Sequence, residues 1–470
     1  MVNQEITIAY GRTGLTVPVP AEYRPVVLRG TAAPPLEDPR SELSRALRDP
    51  IGCDPLRRLA AEAVQRSQAE GDREPRVGIV FNDITRATPN ELIVGAILEE
   101  LAPAGISERQ ITLFNATGTH REQTNDELES ILGADLASRV RVVQNECEAP
   151  DAHTHVGTTA GGNEVRILTE FLRQDLRIAT GFIEPHFFAG YSGGGKAVVP
   201  GLAHLSTILH NHGPAHMDDP DATWGRTRGN PLWDDLSQAA GFADPVFLVN
   251  VTMDGEKNVT GVFAGDRVAA HEAGCRAVEA HAVVPVDREF DIVVTSNSGY
   301  PLDLNLYQAV KGMSAAARIV RPGGEIIIAA ECSDGVPSHG LFGRLIAEAS
   351  SPEDLLKKLR TPEYHVRDAW QAHILALIAR RARITLVSDG IGPSDVPPAL
   401  CRHAASVEEA LQTALQTALQ TALQTASAYR PGVAPSLCIL PDGPLTIPVV
   451  RPAERGVARS CGRETPQSGA

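Results

Sequence analysis

The apolar positions of this chain fall into two recurring rhythms. Short continuous apolar runs at residues 76–82, 111–116 and 140–145 read as buried strands. Between them, 90–102 and 125–138 carry apolar residues at helical spacing. Further strand-like runs follow at 176–183 and 245–251. A second series begins near residue 289, with strands predicted at 290–295, 325–330 and 384–388 and helices at 304–318 and 366–382. Such alternation predicts βαβ units and mostly parallel sheets covered by helices. The expected fold is therefore α/β, with two doubly wound, Rossmann-like domains and the active site in the cleft between them. The reading places an N-terminal domain at 1–280 and a C-terminal domain at 285–430. A last strand within 436–450 is expected to complete the first domain.

Residues 410–426 repeat Ala-Leu-Gln-Thr four times and end on one more alanine. A period of four overshoots a helical turn of 3.6 residues, so the leucines form a slanted apolar stripe on a helix with a structural role. Residues 451–470, rich in Arg, Gly, Ser and Pro, are expected to form a disordered tail.

Composition narrows the class. Hydrophobic residues make up 43% and charged residues 21% of 470, an ordinary globular balance. The formal charge of −15 argues against a nucleic-acid partner and an anionic membrane surface. No apolar run is long enough to span a bilayer, and the first residues lack a secretory pattern, so the expected location is cytoplasmic. Seven scattered cysteines form no Cys-x-x-Cys pair, which speaks against a disulfide framework or a zinc ribbon.

Chemistry concentrates just after the predicted strands. Residues 181–196 deliver His186 and then a glycine-dense loop, Gly190-Tyr-Ser-Gly-Gly-Gly-Lys196, with His212 sixteen residues further on. Glycines admit close backbone approach, histidine moves protons or binds metal, and lysine offers a charge or a covalent anchor. The spacing of Gly190 to Lys196 fits a phosphate-binding P-loop, but Ala197 stands where that motif needs a Ser or Thr hydroxyl. Two more polar clusters end strands of the first series: Asp83, Thr85 and Arg86 after 76–82, and Thr117-Gly-Thr-His120 after 111–116. Arg86 suits bidentate recognition of an anion, while His120 and His186 offer a paired acid and base. A third cluster follows 290–295 and opens a helix on which Tyr307 and Lys311 share a face, with Gln308 beside them.

Taken in order, Asp-x-Thr-Arg at 83–86, Gly-Thr-His at 118–120 and Glu-Pro-His at 184–186 resemble the nickel-dependent lactate racemase family. So do Gly-Tyr-Ser-Gly-Gly-Gly-Lys at 190–196, Asn-His at 211–212 and Tyr-Gln-Ala-Val-Lys at 307–311. The resemblance runs from residue 5 to about residue 390. It implies a pyridinium-3-thioamide-5-thiocarboxylic acid mononucleotide, a nickel-pincer nucleotide, joined to Lys196, with His212 as the protein ligand to nickel. It further implies His120 and His186 as acid/bases, one for each enantiomer, in a racemase or epimerase of 2-hydroxy acids that works by reversible hydride transfer. Arg86 and Lys311 would anchor the substrate carboxylate. Tyr307 and Gln308 would orient substrate and cofactor. Asp83, Thr85 and the backbone of Gly193, Gly194 and Gly195 would contact the cofactor, with Ser298 a further candidate near its phosphate. Enzymes that build the cofactor would be necessary partners.

Two other readings stay open on sequence grounds. A dehydrogenase using diffusible NAD needs a Gly-x-Gly-x-x-Gly turn after its first strand, and none occurs before residue 150. A non-catalytic relative that only binds the cofactor or a hydroxy acid is opposed by the retained histidines and lysine.

Overall fold

The computed structural model describes residues 4–71, 73–338, 340–424 and 434–451. The chain opens with an antiparallel hairpin, β1 (Gln4–Ile8) and β2 (Leu15–Val19), and a short strand β3 (Val26–Val27). Then come β4 (Val77–Asn82), helix α1 (Asn90–Leu101), β5 (Ile111–Ala116), β6 (Arg141–Gln144) and β7 (Leu176–Phe182). Helix α2 (Leu205–Asn211), β8 (Phe247–Met253), β9 (Val259–Asp266) and helix α3 (Arg267–Ala282) follow. The second half contains β10 (Phe290–Ser296), α4 (Leu306–Ala317), β11 (Val320–Ala329), α5 (Ala369–Arg381) and β12 (Arg383–Val387). It closes with β13 (Arg402–Ala404), α6 (Val407–Gln424) and β14 (Leu437–Leu440).

Two six-stranded sheets result. The first runs β9-β8-β7-β4-β5-β6 and is parallel except for the edge strand β9. Its central strands β4, β5 and β7 are buried almost throughout, as continuous apolar strands covered on both faces should be. From β4 the chain winds outward through β5 and β6, then returns to place β7 and β8 on the other side. The strand order therefore reverses between β4 and β7, and ligands of open α/β sheets bind beyond the carboxyl ends at such a point. The second sheet runs β13-β12-β11-β10-β14-β3, parallel throughout, with its own reversal between β10 and β14.

Three expectations need correction. Residues 436–450 do not complete the first sheet: β14 pairs with β10 and β3 in the second, and Ile447–Val450 pairs with Val283–Val286. The apolar run is short, and strand periodicity says nothing about which open edge accepts it. The helical stretch 125–138 is two helices, Asn125–Leu132 and Ala134–Arg139, because Gly133 takes a φ of 81° and breaks the ladder. The first thirty residues, assigned to the N-terminal domain, pack their hairpin and β3 onto the second sheet, where Ile6, Ile8, Val17 and Val19 join Ile292, Val294 and Ile327 in one core.

The tandem repeat lies on α6. Leu411 and Leu415 are buried with Ala410, Ala414 and Ala418 against the second sheet, whereas Leu419 is 36% exposed. A four-residue step turns about 40° past a full helical circle, so successive leucines rotate off the core. From residue 452 the expected tail lies outside the described residues. Among the described residues, no helix is long and apolar enough to cross a membrane.

Candidate active site

The loops that leave β4, β5 and β7 end on the same side of the first sheet, so their polar clusters meet. After β4, Asp83 turns inward, and the Thr85 hydroxyl donates to its Oδ1 at 2.8 Å. After β5, His120 brings Nδ1 to 2.5 Å from Asp83 Oδ2. After β7, Pro185–His186 pairs with Gly190–Tyr191 in a miniature hairpin that faces His186 across from Gly190. Lys196 sits on the single turn Gly194–Ala197, with Nζ 3.3 Å from His186 Nε2. His212 caps the carboxyl end of α2 through its own N–H to Ile208.

From the second half, α4 projects Tyr307, Gln308 and Lys311 into the same cavity, and the start of α5 adds Trp370 and Gln371. The cavity is thus lined by Asp83, Arg86, His120, His186, Gly193, Lys196, His212, Tyr307, Gln308 and Lys311 together. Residues more than two hundred positions apart share one crevice between the two halves.

Four of the expected contacts are arranged otherwise. Thr85 is spent on Asp83 and does not line the cavity. Gly194 gives its N–H to Asn250 Oδ1 at 2.8 Å, and its Cα lies against the His271 ring. Gly195 is packed against Ala240 and Arg267. These two glycines are small because neighbours press on them from behind the loop. Ser298 also lies elsewhere, donating to the carbonyl of Asp442. Asn250 and His271, whose Nε2 lies 2.8 Å from the Ser192 carbonyl, hold the lysine loop and carry no motif that announces it.

Gly190 has a φ of 79°, and a Cβ there would meet the Arg226 carbonyl oxygen at 2.2 Å. Gly190→Ala is expected to lower stability by about 2 kcal/mol or more, since left-handed strain alone costs 1–3. Thermal unfolding of the variant beside wild type checks this.

Electrostatics make the cavity unusual. Burial, reinforced by Arg86 and Lys311, pushes the Lys196 amine down to about 7, and Glu184 only partly offsets this. Burial and then Arg86 lower Lys311 to about 8. His186 is held well below its ordinary value by burial and by the surrounding cations Lys196, Lys311 and Arg86. His212 falls to about 3 for the same leading reason, with Lys196 adding to it, so it stays a neutral donor. Glu184 shifts the other way: burial raises its carboxyl against the pull of Lys311, Arg86 and Lys196. Asp83 shows the opposite balance. Its burial would raise it, but His120, Arg86 and Thr85 outweigh that and keep it ionised.

Aromatic rings fix the histidines. His186 stacks on Phe187 with centroids 5.0 Å apart and meets Phe188 edge-on at 4.5 Å. His212 lies edge-on between Phe188 at 5.3 Å and Trp370 at 5.0 Å. Trp370 in turn donates its indole N–H to the Tyr307 hydroxyl at 3.1 Å, and Gln371 donates to the Tyr307 carbonyl. Sequence reasoning missed Trp370 and Gln371, because a tryptophan at the start of an amphipathic helix looks like core.

The family profile "Lactate racemase N-terminal domain" matches residues 10–225, and "Lactate racemase C-terminal domain" matches 286–443. The chain belongs to the lactate racemase family. Within it, the chain is 35% identical over 411 residues to lactate racemase of Thermoanaerobacterium thermosaccharolyticum, covering 87% of this chain and 93% of that one. It is 33% identical over 404 residues to lactate racemase of Lactiplantibacillus plantarum, covering 85% and 89%. Both relatives carry the name of an isomerase. The lactate racemase apoprotein structure from T. thermosaccharolyticum superposes with a TM-score of 0.84 at 32% identity, over 95% of this chain and 100% of the other. A Thermotoga maritima protein, 20% identical with a TM-score of 0.61 over 84% and 98%, shares the fold. The two-domain α/β arrangement is that of lactate racemases.

Proposed function

We propose that this protein interconverts the enantiomers of a 2-hydroxy acid, lactate or a larger homologue, with a nickel-pincer nucleotide tethered to Lys196. The observation that carries the reading is the meeting of two cavity histidines, a depressed lysine and a neutral histidine donor in one crevice, with Arg86 and Lys311 beside them.

The residues fit the group. His212 Nδ1 is buried without a hydrogen-bond partner and the ring stays neutral, as an imidazole ligand to a soft-ligated nickel should. Among the described residues no three His, Cys, Asp or Glu side chains gather to hold a metal, so His212 would be the protein's ligand and the nucleotide would supply the others. Lys196, near 7, offers the neutral amine that covalent attachment requires. The Gln308 side-chain oxygen, buried and unpartnered at the cavity wall, is free for a ligand donor.

When bound, the nucleotide supplies a reversible hydride acceptor, which avoids a poorly stabilised carbanion beside a carboxylate. The chain's own groups do the rest. Arg86 and Lys311 bind the substrate carboxylate, and their positive charges compensate a ligand anion in a buried place. His120 and His186 take the hydroxyl proton in one direction and return it in the other. Tyr307, held by Trp370, and Gln308 orient the bound molecules. Phe187 and Phe188 beside His186 form the apolar part of the wall and favour a hydrocarbon substituent. The setting is cytoplasmic, and cofactor-building enzymes act before this one.

A panel of single-enantiomer 2-hydroxy acids, incubated with protein co-expressed with cofactor-building enzymes and followed by chiral chromatography, tests the proposal. Racemisation of at least one member is expected, and conversion of none would refute it. His212→Ala is expected to lower nickel content at least tenfold by metal analysis while the covalent adduct on Lys196 persists. Unchanged nickel would remove His212 from its role.

A further inference from the structure

The two cavity histidines have different partners. His120 Nδ1 lies 2.5 Å from the buried carboxylate of Asp83, which the Thr85 hydroxyl and Arg86 hold ionised. That contact fixes Nδ1 as the donor to the carboxylate and leaves Nε2 for the ligand. His186 has no such acid. Its Nδ1 accepts the Ala189 N–H at 3.3 Å, its Nε2 meets Lys196, its ring stacks on Phe187 and meets Phe188 edge-on, and the charges that act on it come from Lys196, Lys311, Arg86 and His212. Glu184, the other carboxylate of the cavity, faces the three cations. Attachment at Lys196 would remove one of those charges and leave Arg86 and Lys311.

We propose that Asp83 is a positioning residue that makes His120 the resting proton carrier of the enzyme, so that the free enzyme receives the two enantiomers unequally. The inference rests on the two-histidine reading above. In that reading each turnover passes the hydroxyl proton to one imidazole and takes a proton from the other. Product release therefore leaves the enzyme in the opposite protonation form, and solvent must exchange one proton off and one on before the next cycle. With Asp83 at His120 alone, the form with His120 protonated and His186 neutral predominates. The enantiomer whose hydroxyl faces His186 meets the predominant form, and its mirror image must await the minor one. Mirror-image substrates have equal free energy, so kcat/KM is the same in both directions at any pH. The inequality appears in kcat and KM separately, both scaled by one factor.

The test uses holoenzyme and the two lactate enantiomers, or another substrate pair from the panel. Wild type is expected to show Michaelis constants that differ at least threefold between enantiomers, with kcat differing by the same factor. Asp83→Asn keeps the shape and removes the charge. It is expected to lower kcat/KM about 10²-fold or more, by analogy with the loss of a charged histidine partner in hydrolytic triads. It should also bring the two Michaelis constants toward equality, with nickel content and the Lys196 adduct unchanged. Equal constants in wild type would overturn the proposal without recourse to any variant. Loss of adduct or nickel in Asp83→Asn would also overturn it, by making Asp83 a cofactor contact. So would an unchanged ratio of the constants. If His120→Ala and His186→Ala holoenzymes both racemise normally, the two-histidine reading itself fails, which is a separate result.

Discussion

Lys196→Ala is expected to yield a folded protein with no covalent adduct by intact-mass measurement and no racemisation above background. The reasoning starts from burial. A lysine amine in the interior loses hydration, and two neighbouring cations oppose its protonation, which together bring it to about 7. Removing such a group deletes an unfavourable desolvation, so thermal stability should hold or rise. The loss is chemical. The same shift sets a pH dependence with a definite sign: only the neutral amine attacks, so attachment should slow about tenfold for each unit below pH 7 and level off above it. Timed loading of the protein with cofactor, read by intact mass from pH 5.5 to 8.5, checks this. A profile still rising steeply at pH 8.5 would mean that the amine is not depressed, and an adduct on the alanine variant would place the tether elsewhere.

His120→Ala and His186→Ala should each lower racemisation by 10²–10⁴-fold, the usual contribution of a positioned acid/base. Neither should disturb the tether or the nickel, because Lys196 and His212 are held by their own elements, the turn Gly194–Ala197 and helix α2. The two variants should differ in a way that simple damage does not produce. Each keeps one base, so with stoichiometric holoenzyme in a single turnover each should form 2-oxo acid from one enantiomer only, and the preferred enantiomer should be opposite for the two. Chiral analysis of the remaining hydroxy acid reads this directly. Identical preference in both variants would assign both histidines to one face of the substrate.

Much of this site was legible because chemistry in a doubly wound sheet gathers at strand ends, and strand ends can be found from local pattern. Asp83, Arg86, His120, His186 and Lys196 each follow an apolar run that proves to be β4, β5 or β7. Lys311 and Tyr307 share a helical face because four residues make about one turn. For Thr85, Gly194 and Gly195 local pattern says less, for the complementary reason. A hydroxyl or a glycine beside a site is chemically suitable for a ligand, yet its orientation depends on what packs behind it: Asp83 claims the hydroxyl, and Asn250, His271 and Ala240 press on the glycines. Glu184 stood inside a recognised motif, but its raised carboxyl depends on a burial that outweighs three cations arriving from three separate elements.

By itself the amino-acid sequence determined the alternation of strands and helices, the two α/β halves and the order of the reactive clusters, which follow from periodicities and spacings within a few turns of chain, while the family was legible only through the resemblance of its motifs. Only the tertiary structure decided that β14 and β3 join the second sheet with the N-terminal hairpin packed on it, that α4 and α5 line the crevice with His212, and that Asp83 belongs to His120. Those outcomes turn on which edges and faces meet across long loops. Side-chain periodicity records that a surface is apolar or polar, and packing alone selects its partner.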